Sequence, residues 1–191
     1  QYLNGGADDL KTVEANTKAY QEIQIRARRL IDVRNISTKV SLFGKTLDNP
    51  IILCPVGFQK FFHPEGEIGS AKAAVKKNHQ MIVSSVSNYS VNEIAEQSGA
   101  KLWFQLYTTA DRKVTKKLLE RAEKAGCKVC VLTVDSPVLG NRERSGTTLA
   151  KLMEAKVLRM GNYEGIMPEG TEFDDKGMTW EIIEWLRANT N

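Results

Sequence analysis

The sequence predicts an α/β chain, a partial (β/α)8 barrel made of about the first four βα units and preceded by an N-terminal helical segment. Three observations carry this. From Pro50 onward, short apolar runs alternate with helix-like stretches, the pattern of βαβ units around a parallel sheet buried on both faces. Each apolar run ends in polar residues, and in a (βα) barrel the carboxyl ends of several strands together build the reactive face. The other closure of such a sheet, a doubly wound nucleotide binder, should show G-x-G-x-x-G or a Gly-rich P-loop, and neither occurs.

Residues 1–49 are mixed: a Gly-rich "YLNGGADD", a helical stretch from about Leu10 to Tyr20, then a basic, irregular "QIRARRLIDVRN". "PIILCP" reads as a short buried strand. "PEGEIGSAKAAVKKN" reads as a helix with Pro64 and Glu65 at its start and lysines in its last turn. The unit repeats as "MIVSS" with "SVNEIAEQSG", then "LWFQLY" with "DRKVTKKLLERAEKAG", then "VCVLTVD" followed by a long stretch without the pattern. That stretch is polar and carries Gly161, Gly165, Gly170 and Gly177, so 147–177 is expected to be a mobile loop after the fourth strand.

At 191 residues and 41% hydrophobic content, the chain is about one domain long with enough apolar material for a core. A net charge of +4, spread among Asp and Glu, is compatible with small anionic ligands and too weak and scattered to argue for nucleic acid. No run approaches the roughly 18 apolar residues of a membrane helix, and no charged-then-apolar leader is seen. The chain opens on Gln1 rather than Met, so its first residue is not expected to be the natural start. Cys54, Cys127 and Cys130 suit a reducing, cytoplasmic compartment better than a disulfide framework. Cys127 and Cys130 form a C-x-x-C, but they sit at a strand rather than a helix start, without a second C-x-x-C for a metal. Ordinary buried thiols and no metal site are expected.

The strand ends read Cys54-Pro55-Val56-Gly57, Ser84-Ser85, Gln105-Leu106-Tyr107 and Thr133-Val134-Asp135. Alternation along a strand puts Gln105 with Tyr107, and Thr133 with Asp135, on one face each. Singly, Gln105 and Thr133 read as satisfied core polars, Tyr107 as a packing aromatic and Asp135 before Ser-Pro as a turn residue. Strand ends that all do this together favour a site. His63 precedes Pro64 at a helix start, and His79 precedes the second strand at the opposite end, so neither reads as a catalytic base.

"QLYTTADR" and "LTVDSPVLGNRE", with "PVGFQKFFHPEGE" and "SSVSNYSVNEIA" upstream, resemble the FMN-dependent α-hydroxy acid oxidases and dehydrogenases, the family of glycolate oxidase, lactate oxidase and flavocytochrome b2. The similarity runs from Tyr2 to about Arg144, and "MTWEIIEWLRANT" is similar to the segment before the family's fifth strand. The resemblance implies that 1–191 is the N-terminal part of a single FMN-dependent (β/α)8 domain. It implies FMN as cofactor and oxidation of small L-2-hydroxy acids, lactate or glycolate-like, to 2-oxo acids. It also implies a homo-oligomer for the full-length protein.

Residue by residue, the resemblance places the backbone of Pro55, Val56 and Gly57 against the flavin ring. Ser84, Gln105 and Thr133 would bond its polar edge. Tyr2 would reach the substrate carboxylate, Tyr107 the substrate oxygen, and Arg142 would line the entrance. Asp135 matches the carboxylate that pairs with the family's catalytic histidine, stabilising the imidazolium as it forms. Val56 stands where many members carry threonine, so a hydroxyl near the flavin is absent, and Val86 stands where several carry tryptophan, which implies a roomier substrate pocket. The family's histidine, its carboxylate-clamping arginine and its phosphate loops come from strands five to eight, and four strands are countable here. A whole barrel takes about 250 residues. The alternative is therefore a non-catalytic half-barrel that needs a partner half. Another FMN barrel, such as a flavin-dependent isomerase, fits the fold but matches "TVDSP" with "QLY" less well.

Overall fold

The structure, a computed structural model, describes residues 5–135, 138, 140–143, 159–168, 171 and 175–190. The chain forms two compact units, Gln1–Ser37 with Leu139–Val157, and Thr38–Val138 with Leu158–Asn191. In the first, α1 (Lys11–Glu22) covers the helical stretch expected from Leu10, and none of its residues is buried. The Asp8 amide donates to the Asn141 carbonyl at 2.9 Å, and Asn141 Nδ2 donates to Asp8 Oδ1 at 3.1 Å.

The second unit opens with an antiparallel hairpin, β1 (Val40–Leu42) and β2 (Lys45–Leu47). Its turn residues Phe43 and Gly44 both have positive φ, 47° and 73°, which matches the right-handed twist of a tight two-residue hairpin. Four parallel strands follow: β3 (Ile52–Leu53), β4 (Gln80–Ser84), β5 (Trp103–Leu106) and β6 (Cys130–Leu132), in the order β3-β4-β5-β6. The crossovers are α2 (Gly66–Lys76), α3 (Val91–Ser98) and α4 (Arg112–Lys124). The strands are shorter than the apolar runs suggest, above all β3 with 2 residues and β6 with 3. Both are edge strands, so each has a ladder on one side only among the described residues.

Alternation along the strands sorts the side chains into two faces. Met81, Val83, Phe104 and Leu106 meet Ile68, Ala71, Val91, Ile94, Val114 and Leu118 from the helices in one core. The helix sequences supply that face. A capping box starts α3, with Ser90 N donating to Glu93 Oε2 at 2.7 Å and Glu93 N donating to Ser90 Oγ at 3.3 Å. Asp111 caps α4, which buries the helical stripe Val114, Leu118 and Ala122. On the other face, Phe43 packs edge-on against Trp103 with ring centroids 5.4 Å apart. Lys45 Nζ donates to Gln80 Oε1 at 2.9 Å. The hairpin thus covers the amino end of this face, and the carboxyl end is left to Ser84 and Gln105.

Residues 159–168 fall within the stretch expected as a mobile loop, and here they are packed; 147–158 lie outside the described residues. Gly161, Asn162, Tyr163 and Ile166 are buried. Arg121 donates to the carbonyls of Gly161, Asn162 and Glu164 at 3.1, 2.6 and 3.0 Å. A Cβ on Gly161 would stand 2.4 Å from Ser90 N and 2.6 Å from the Tyr89 carbonyl carbon. Both contacts are backbone and cannot swing aside. Gly161→Ala is therefore expected to destabilise the protein by about 1–3 kcal/mol, seen as a lower urea midpoint.

Arg159 bonds Glu164 (2.6 Å) and Glu93 (3.0 Å), joining this segment to α3. Arg159 holds the Glu164 carboxyl below its ordinary value of 4.5, and burial opposes the drop only in part. At Glu93 burial pushes upward, but Arg159 and Ser90 together outweigh it, so this carboxyl is lowered too. Groups depressed on folding contribute stability that is present above 4.5 and is lost as pH falls through the folded values below it. Lowering the pH from about 5 to about 3 should therefore reduce the melting temperature less in Arg159→Gln than in the parent protein. Equal acid sensitivity in a thermal melt would refute the coupling.

Farther along, Thr108 Oγ1 donates to the buried Asp175 Oδ2 at 2.8 Å, and Arg112 pairs with the same carboxylate. Arg112 also lies over the Trp185 ring of α5 (Glu181–Ala188).

Candidate active site

The carboxyl ends of β4, β5 and β6 carry one continuous ladder of side-chain hydrogen bonds. Ser84 and Gln105 are register partners. The Ser84 hydroxyl donates to Gln105 Oε1 at 3.0 Å, and Gln105 Nε2 donates to Thr133 Oγ1 at 2.7 Å. Upstream, the amides of Val86 and Ser85 donate to Ser84 Oγ (3.2 Å) and Gln105 Oε1 (3.2 Å). All bonds point one way, so the chain of donors ends on the Thr133 hydroxyl, which keeps its proton to give. Ser84 and Gln105 are 4% and 2% exposed. Buried groups of this kind are costly unless partnered, which fixes their geometry.

Gly57 closes the ladder on the β3 side. A Cβ there would lie 2.7 Å from Val86 Cγ2, so the residue brings the loop after β3 against the loop after β4. Glu67, fully buried in the first turn of α2, ties the same two loops: its Oε1 accepts from the amides of Gln59 and Asn88, each at 3.0 Å. Pro55 is half-buried and Val56 is exposed on the loop after β3. Tyr107, half-buried, continues the Gln105 side of β5, and its amide donates to Ser85 Oγ at 3.2 Å.

The structure therefore brings Gly57, Ser84, Gln105, Thr133 and Tyr107 to one end of the sheet. Asp135 is not drawn into the ladder. Asp135 lies past the end of β6 and is exposed, without a hydrogen-bond partner among the described residues. The strand expected to run through "VCVLTVD" stops at Leu132, although Thr133 N still donates to Leu106 O at 3.0 Å. Arg142 belongs to the other compact unit, and Tyr2 lies outside the described residues. His63 Nδ1 accepts from the Glu65 amide at 3.3 Å, and His79 contacts the Ile51 carbonyl at the amino end of the sheet.

The cysteines correct one expectation: Cys54 and Cys130 are exposed and Cys127 is half-buried. Cys54 and Cys130 sit at or beside the two edge strands, which no further strand covers among the described residues. Burial, with a smaller push from Cys130, raises the Cys127 thiol to about 12. Cys130 is accessible, yet the protein around it still excludes enough water to push its thiol up to about 11. Neither supplies a thiolate near neutrality.

Sequence reading missed Asn162, Tyr163 and Glu67. Tyr163 sits beside Ser85 and Tyr107: burial pushes its hydroxyl up to about 12, with Ser85 acting the other way and Tyr107 adding to the rise. The available signal was the short "GNYEG", where an aromatic stands between glycines in an otherwise polar stretch.

The chain is similar to known proteins along its whole length. The family model for FMN-dependent dehydrogenases matches residues 1–191. A peroxisomal (S)-2-hydroxyacid oxidase of Arabidopsis thaliana is 38% identical over 202 residues, covering 99% of this chain and 54% of that protein. An L-lactate oxidase of a Nostoc species is 36% identical, covering 98% of this chain and 55% of the relative. A soluble mutant of the membrane-associated (S)-mandelate dehydrogenase from Pseudomonas putida superposes with a TM-score of 0.85 at 29% identity, covering 100% of this chain and 56% of that one. The chain thus spans about half the length of the relatives it matches. In this chain, no helix among the described residues is long and apolar enough to cross a membrane.

Proposed function

The chain belongs to the FMN-dependent dehydrogenase family, and from that premise we propose that the polypeptide carrying it binds FMN and oxidises small L-2-hydroxy acids to 2-oxo acids. The parallel sheet β3–β6 with α2–α5 is read as about the first four βα units of a (β/α)8 barrel, and 1–191 as the N-terminal part of that single domain. Residues 159–168 would then form the packed part of the loop after the fourth strand.

The observation that carries the proposal is the Ser84–Gln105–Thr133 ladder. It is uncharged, oriented and donor-terminated, which suits the carbonyl and ring-nitrogen edge of an isoalloxazine. The absence of a side chain at Gly57, where a Cβ would meet Val86, suits a backbone that must lie flat under the ring. Pro55 and Val56 would share that contact. FMN, when bound, supplies the two-electron acceptor.

This chain's residues would then orient the substrate. Tyr107 would bond its oxygen, Tyr2 its carboxylate, and Arg142 would line the entrance, while Asp135 would hold the imidazolium of a histidine base. Lactate- and glycolate-like acids are the substrates this reading favours, with Val86 leaving room beside the flavin. A homo-oligomer in a reducing, cytoplasmic compartment completes the proposal.

The complete polypeptide should be yellow as purified and should bleach anaerobically on addition of L-lactate or glycolate. A colourless product that takes up no FMN would sink the reading. The half-barrel alternative draws on the exposed apolar residues Ile51 and Val134 beside the edge strands. It predicts that residues 1–191 alone associate on a sizing column and gain FMN affinity only with a second polypeptide.

A further inference from the structure

We propose that Asn162 is a positioning residue for the flavin site, fixing the turn after β4 on which Ser84 and Ser85 act; this rests on the reading of Ser84, Gln105 and Tyr107 given above. Asn162 is fully buried. Its Nδ2 lies 3.2 Å from the Ser84 carbonyl, 3.2 Å from the Ser85 carbonyl and 2.9 Å from Ser87 Oγ, and its Oδ1 accepts from the Val91 amide at 2.7 Å. One carboxamide therefore spans the turn, from the last residue of β4 to the first residue of α3.

That turn holds the site. Ser84 Oγ starts the ladder to Gln105, and Ser85 Oγ accepts from the Tyr107 amide. β4 ends at Ser84, where the strand ladder runs out: the Ser87 amide already reaches the Ser84 carbonyl at 3.1 Å, and the Ser85 carbonyl needs a donor from outside the turn. Asn162 supplies it in one turn conformation only.

The donor itself cannot drift. Arg121 grips the carbonyls of Gly161, Asn162 and Glu164, and the Gly161 amide donates to the Ser87 carbonyl at 3.1 Å. Asn88 Nδ2 donates to the Arg159 carbonyl at 3.1 Å. Gly161 has no room for a single added carbon. A hydrocarbon at 162 could fill the space, but it would leave the turn free to choose another arrangement.

The test uses the complete polypeptide with Asn162→Ala, the milder Asn162→Ser, and Leu118→Ala as a core-cavity control in α4. FMN affinity is read by flavin fluorescence quenching, together with the visible flavin absorption band and thermal melts. The Asn162 variants should bind FMN about tenfold more weakly, as expected from a lost hydrogen bond of about 1.4 kcal/mol, and should shift the flavin band. Leu118→Ala should lower the melting temperature at least as far with affinity and band unchanged. Wild-type affinity and spectrum in both Asn162 variants would overturn the proposal, as would an equal loss in Leu118→Ala. Exchange of the Val91 amide, followed without FMN, keeps this result separate from the functional reading. It should speed up about tenfold in Asn162→Ala, and an unchanged rate would overturn the positioning role even if the protein bound no flavin.

Discussion

Gln105→Leu is expected to release the flavin and to weaken the fold at once. Leucine fills nearly the same volume, so packing around the 2% exposed side chain is kept. What is lost is both ends of the carboxamide. The Ser84 hydroxyl, buried, loses its acceptor at a cost of about 1–3 kcal/mol, and the half-buried Thr133 Oγ1 loses its donor. The Ser85 amide is spared, because it also donates to the Gln105 backbone carbonyl at 2.9 Å. Together with the proposed contact to the flavin edge, FMN affinity should fall about a hundredfold or more. Flavin per polypeptide after gel filtration and the urea midpoint give the two readouts. Full flavin occupancy in a destabilised Gln105→Leu protein would show the ladder to be structural only.

The alternation of apolar runs with helical stretches made the parallel sheet and its three crossovers legible, because burial on both faces leaves few polar residues inside a strand. The members of the ladder were legible for a related reason, because Ser84, Gln105 and Thr133 are polar residues at the ends of apolar runs. Their bonds to one another were not, since they depend on the register of neighbouring strands. The hairpin β1–β2 was not seen, since its strands have 3 residues each and its turn is Phe43-Gly44 rather than Asn-Gly. Nor were the contacts of 159–168. Glycine and polar residues suggest a loop, and nothing local reveals that Asn162 will find Ser84, which is 78 residues away. The cysteines were misjudged because strand burial depends on which strands flank Cys54 and Cys130, a property of the whole sheet.

Asp135→Asn is expected to separate stability from catalysis, in contrast with Gln105→Leu. The carboxylate is exposed and has no hydrogen-bond partner among the described residues. Folding therefore gains little from its charge, and the variant should melt within about 0.5 kcal/mol of the parent. Its proposed work lies elsewhere, in the moment when a histidine base takes a proton from the substrate and becomes a cation. A carboxylate beside that cation lowers the energy of the charged form, and an amide of the same shape keeps the geometry while giving up the charge. The rate of anaerobic flavin bleaching by L-lactate or glycolate should consequently fall by about 10²–10⁴, the contribution of a well-positioned general base, with the upper end matching the loss of charge beside a triad histidine. FMN content should be unchanged, because Asp135 is no part of the Ser84–Gln105–Thr133 ladder. A bleaching rate within about twofold of the parent would remove Asp135 from the reaction. A protein that loses flavin along with rate would place Asp135 in cofactor binding instead.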